Sequence, residues 1–193
     1  MDFWMNNCIK TFVLIIVLLY VVIIFLVAGI IYVASKSPHY SHLKHTISEL
    51  GEDNAPYSRI VNMGLFLPVG IILILIGLLN RDNTIISGLA ICLGVGYLVS
   101  ALFPCDRGSP LAGSIKQTIH NIGGFIEYGG GIYFLNKSRH LLLTPGFIEP
   151  QWITGFLVLC VILTSLPGFK LRGLFQRTVE FILFGQLLWL SYQ

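Results

Sequence analysis

His42-x-x-His45, Asp106 and His120 carry the imidazole nitrogens and carboxylate oxygens that hold a zinc-type ion. Glu127 and Glu49 could move protons beside such an ion, and Ser48 is a hydroxyl that a histidine could activate. The catalytic candidates are therefore Asp106, His120, Glu127 and Ser48, and the metal candidates are His42, His45, Asp106 and His120. The chemistry they suggest is hydrolysis or group transfer. Their spacing is diffuse: there is no HExxH or HxxxH, and no nucleophile elbow surrounds Ser48. Cys105, beside Pro104, reads as a small apolar filler rather than a nucleophile.

The elements that must position these residues follow from composition. Of 193 residues, 12 are Lys or Arg and 9 are Asp or Glu, so 11% are charged, against about 25% in ordinary soluble domains. Hydrophobic residues make up 55% and mean hydropathy is +0.80. A net charge of +3, scattered along the chain, excludes a nucleic-acid reader. Four cysteines without a CxxC pair exclude a disulfide scaffold. The chain reads as a multi-pass protein of the cell membrane.

A hydrocarbon core about 30 Å thick needs roughly 20 apolar residues in a helix, and unbroken apolar runs favour helices over barrel strands. Six runs qualify, predicting an all-α, single-domain bundle with spans near 11–34, 57–79, 84–103, 114–135, 150–166 and 174–192. The first exceeds a signal peptide's apolar stretch and reads as an uncleaved span. Pro68 predicts a kink in the second, and Ser114-x-x-Gln117 predicts a capping box opening the fourth. Eight of the 12 Lys and Arg fall on the side of the odd loops, which the positive-inside rule places in the cytoplasm. Removing Lys44, Arg59 and Arg107, which have possible roles in a site, leaves five against four.

Six such spans bring the segment 35–56, the exit of span three, the start of span four and the start of span six to one end of the bundle. That end holds four of the five histidines and six of the nine carboxylates. Ser37-Pro38 and Gly51 are start and stop signals for a helix over 38–50 lying in the membrane interface. Its polar face would carry His42, His45 and Glu49, and its apolar stripe Leu43, Ile47 and Leu50. Asp106 and His120 bracket a short connection and are expected to meet. Glu127 shares a helical stripe with His120, about two turns inside span four, and is expected to face inward as an acid or as a strut to Tyr97, Asn62 or Gln186.

The run His42-x-x-His45-x-Ile47-Ser48-x-Leu50-Gly51, then Val61-Asn62, Phe103-Pro104-Cys105-Asp106-x-Gly108 and His120-Asn121, resembles the domain-of-unknown-function 998 family. The resemblance covers roughly residues 10 to 190. It implies a six-span bundle in a bacterial or archaeal envelope and implies no activity. Three functions stand open on the residues alone. One is a lipid-directed hydrolase or transferase with a divalent metal such as zinc. Another is a proton-coupled carrier with Glu127, His120 and Asp106 as relay. The third is a non-catalytic protein whose polar rim binds a membrane lipid or a partner.

Overall fold

The computed structural model describes residues 2–138 and 150–193, and among these every regular element is helical. The α-helices are α1 (Asp2–Lys36), α2 (Leu67–Leu79), α3 (Thr84–Leu102), α4 (Ile115–Lys137), α5 (Pro150–Ser165) and α6 (Arg172–Leu190). Among the described residues three helical segments, Ile9–Lys36, Ile60–Leu79 and Thr84–Leu102, are long and apolar enough to cross a membrane, and Trp152–Ser165 is apolar but shorter. Large apolar side chains cover much of the outer surface, among them Ile24, Phe125, Trp152 and Phe181. Such a surface belongs to a membrane protein. Most of the connection expected over 136–149 lies outside the described residues.

Before Pro68, where a kink is expected, the helix changes type. A π-helix, Ile60–Phe66, precedes α2, and the Leu67 N–H bonds the Asn62 carbonyl five residues back. Proline has no N–H and its ring crowds the carbonyl four residues earlier, so the wider turn relieves the conflict. Asn83 caps α3 by accepting from the N–H groups of Ile85 and Ile86. Ser114 caps α4 by accepting from the Gln117 N–H, at 3.2 Å. The capping box is incomplete, because Gln117 turns away to the Asp106 N–H and the Asn121 side chain. Asp106 takes its place, accepting from the Ser114 N–H at 2.7 Å.

The expected interfacial helix over 38–50 is not formed. Residues 38–47 run through turns, and only Ser48–Gly51 closes a 3₁₀ turn. The reason lies in α6, whose N-cap residue Leu171 offers no side-chain cap. The exposed donors there are met instead by carbonyls of loop one, residues 37–59: Leu174 N–H bonds the Leu43 carbonyl at 3.1 Å, and Arg177 bonds those of His42 and His45. Loop one is thus drawn into a geometry set by α6 rather than by its own local pattern. The 3₁₀ turn carries a reciprocal cap, with Thr46 N–H donating to the Glu49 carboxylate and Glu49 N–H donating to Thr46 Oγ1.

Close helix packing needs small residues where backbones approach. Along α3, Gly94 lies against the α2 backbone at Gly70, and Gly96 leaves its space to the Glu127 side chain from α4. The Gly129-Gly130-Gly131 run does not break α4. Gly130 accommodates Cys92 and Gly131 accommodates Leu183.

Candidate functional site

Loop one and loop three, residues 103–114 between α3 and α4, are sewn together at one end of the bundle. Asp53 N–H bonds the Cys105 carbonyl at 2.9 Å, Gly108 N–H bonds the Glu52 carboxylate at 2.7 Å, and Lys116 pairs with Asp53 at 3.0 Å. Asn62 holds the Gly51 carbonyl at 2.8 Å, and the Cys105 thiol lies 3.5 Å from the Ser48 carbonyl. Gly108, at φ +75°, turns the chain so that its carbonyl and that of Ser109 accept from Arg172. Arg172 is buried and also donates to the Thr164 carbonyl at 3.1 Å, tying loop three to the α5–α6 turn. An open polar cavity of about 780 Å³ remains above this seam, lined in part by His39, His45, Glu49, Glu52, Asp106 and Arg107.

Electrostatics within the seam differ from residue to residue. Two donors from Ser114 hold the Asp106 carboxyl below the usual carboxylate range. Burial pushes Glu52 upward, partly offset by the Gly108 N–H. Burial, with Glu52 and Glu49 nearby, pushes the Cys105 thiol up to about 12, so it is a filler and a poor nucleophile. Tyr40 is pushed up to about 12 by burial despite Arg177 beside it, and stays a neutral hydroxyl. Burial first, then Arg177, keeps the His42 imidazole below its usual range.

The residues suggested as metal ligands are distributed over separate places. His45 lines the polar cavity with its Nδ1 accepting from Ser41 N–H at 2.8 Å, whereas His42 lines an apolar groove between α1 and α6. Both Asp106 oxygens are engaged by Ser114. His120 is buried with Nδ1 on the Phe103 carbonyl at 3.0 Å, which requires that this nitrogen carry a hydrogen. No hydrogen bond joins Asp106 to His120 among the described residues, and there no group of three or more His, Cys, Asp or Glu is arranged to hold a metal ion.

Glu127 lies deeper and faces inward, 5% exposed. Its partner is none of Tyr97, Asn62 or Gln186 but Glu180 of α6, to which its carboxyl is hydrogen-bonded. Tyr97 and Tyr128 donate to the two Glu180 oxygens at 3.2 and 2.9 Å. Gln176 donates to Tyr128 at 2.8 Å and accepts from the Ile47 N–H of loop one. A chain of donors therefore runs from loop one through Gln176 and Tyr128 to Glu180. Ser48 joins this group, because it lines the small void that Glu127 and Glu180 share. No hydrogen bond links its hydroxyl to a histidine among the described residues. Glu180 and Gln176 were not among the catalytic or metal candidates, although their spacing of four inside the apolar run 174–190 put two polar groups on one face of α6.

The second cavity is a groove of about 590 Å³ along α1 and α6, with Ile23, Leu26, Val27, Ile30, Phe184 and Leu188 on its walls and Gly185 in its lining. His42, Arg177 and Glu180 form its polar end. The Arg177 guanidinium donates to the carbonyls of His42, His45 and Gly173 and to the Tyr40 hydroxyl. Among the described residues no carboxylate lies within ion-pair distance of it.

The family model described as "Protein of unknown function (DUF998)" matches residues 19–192. No curated protein and no solved structure matches the chain. The residues that carry the resemblance lie in one hydrogen-bonded region: Ile47, Gly51 and Asn62 on loop one and the π-helix, Phe103 to Gly108 on loop three, and His120 on α4.

Proposed function

The chain belongs to the DUF998 family of proteins of unknown function, and we propose that it is a six-span protein of the cell membrane that binds a membrane lipid. In this reading α4 and α6 also cross the bilayer. They are 23 and 19 residues long, enough for a core about 30 Å thick, and their polar residues Gln117, His120, Glu127, Gln176 and Glu180 are all buried. Their outward faces present Phe125 and Phe181, 77% and 81% exposed. By the positive-inside rule the polar end faces the cytoplasm.

The observation that carries the lipid reading is the α1/α6 groove. It lies within the size range of ligand pockets, its walls are apolar and run along a spanning helix, and it ends at an arginine with no carboxylate within ion-pair distance among the described residues. One acyl chain fits the walls, and an anionic headgroup compensates Arg177. Neutral His42 beside it adds a hydrogen-bonding group without further charge.

Gly185 provides the test, because a Cβ built there meets nothing within 4 Å. Gly185→Leu fills the groove without disturbing the packing. Labelling of the protein by a photoactivatable anionic phospholipid in vesicles should fall at least fivefold in this variant, with the label on the wild type mapping to α1 and α6. Equal labelling of both proteins would defeat the proposal.

A further inference from the structure

Beneath the polar end, Glu127 and Glu180 border a small void of about 10 Å³, with Ser48, Ser100, Tyr97 and Tyr128 on its walls. That is about the volume one water-sized probe occupies. Two independent features point to an occupant. A direct hydrogen bond between two carboxyls requires a proton between them, since two carboxylates offer only lone pairs. Ser100, 8% exposed, lines the void, and its hydroxyl makes no hydrogen bond among the described residues.

We propose that Glu127 and Glu180 form an exchangeable one-proton site, and that a single water in the void carries the exchange. The water accepts from Ser100 and bridges to the carboxyl pair. On release, the carboxyl O–H bond breaks and the proton forms a third O–H bond on the water; loading is the reverse. The outlet is Ser48, whose neighbours Glu49 and Leu50 line the open polar cavity. The groups facing the pair are few. Tyr97 approaches from α3, Tyr128 from α4 and Arg177 from α6; His42 of loop one shares the groove end with Glu180, and loop one and the π-helix otherwise bring Ser48, Ile47 and Phe66 to the void. The tyrosines donate to Glu180, and Arg177 donates to carbonyls and to Tyr40, so among the described residues no cation is in direct contact with the pair.

Infrared difference spectroscopy on the full chain in nanodiscs tests this. The wild type should show the carbonyl stretch of one protonated carboxyl per chain at neutral pH, shifting within minutes in D2O. Glu127→Gln should abolish that band, because Glu180 would then accept from three donors, the Gln amide and both tyrosines. Ser100→Val, which occupies the void with a methyl group, should keep the band and slow its D2O shift at least tenfold. It also serves if Glu127→Gln fails to fold. A wild-type spectrum without the band would overturn the proposal, as would a band that survives Glu127→Gln. So would a D2O shift that is absent in the wild type or unaffected by Ser100→Val.

Discussion

Gly96 of α3 and Glu127 of α4 occupy one space: the position a Cβ would take on Gly96 is filled by the Glu127 side chain. The glycine admits a carboxyl where a helix contact would otherwise close. Gly96→Ala should therefore cost about 1–3 kcal/mol, the usual penalty for overpacking. Gly124→Ala on α4, where a Cβ meets nothing within 4 Å, should instead stabilise by about 0.5–1 kcal/mol. Reversible unfolding of both variants in mixed micelles checks the contrast, and equal effects would remove Gly96 from this role.

Arg172 is 4% exposed and serves three carbonyls, those of Thr164, Gly108 and Ser109. Arg172→Leu leaves them without a donor and should destabilise by on the order of 3 kcal/mol. Hydrogen exchange should quicken first in loop three and the α5–α6 turn. An unchanged exchange pattern in those segments would show that the clamp contributes nothing.

The Asp106 carboxyl, held low by the two Ser114 donors, contributes stability that is present above its ordinary value of 3.8. That contribution is lost as pH falls through the lower value of the folded chain. Asp106→Ala should accordingly be less stable than wild type at neutral pH, with the difference shrinking below pH 3.8. Thermal unfolding of both proteins across the acid range measures it. A difference independent of pH would mean that the carboxylate charge is not what caps α4.

Glu52 has the opposite sign. Burial raises it above 4.5, so its stabilising form is the protonated one, present below that value and lost as pH rises through the folded one. Glu52→Gln keeps an acceptor for Gly108 N–H and removes the charge. It should raise the melting temperature at neutral pH and leave it unchanged below pH 4.5. A loss of stability at neutral pH would indicate that the Gly108 bond requires a full negative charge.

The helices were legible because lipid-length apolar runs leave the backbone little choice, and α4 and α6 were recognised even though Glu127 and Glu180 interrupt theirs. Loop one was not. Its stripe assigned Leu43, Ile47 and Leu50 to one face, but Leu43 is 51% exposed while Ile47 and Leu50 are buried. The local pattern yields to donors on α6, about 130 residues away in sequence. The candidate site divided along the same line. The inward facing of Glu127 followed from the cost of an acid in lipid, whereas its partner depended on the helix rotations that bring α4 and α6 together. Asp106 and His120 are near in sequence, but Asp106 accepts from Ser114, eight residues on, and His120 bonds the Phe103 carbonyl at the end of α3.

The π turn at 60–66 bears on how long this segment must be. Among the buried positions, those at 61, 65, 69, 73 and 77 follow an interval of four, with 62, 66, 70 and 76 beside them. In an ordinary helix each such step overshoots a full turn by about 40°, so four steps would swing the stripe by about 160°. A π turn holds one residue more than the α turn it replaces and cancels about 100° of that swing. The segment thus behaves as an α-helix carrying one supernumerary residue, taken up beside Pro68. A chain one residue shorter between 60 and 66 would present the same faces on both sides, whereas the same deletion within 69–79 would turn one half of the span to the lipid.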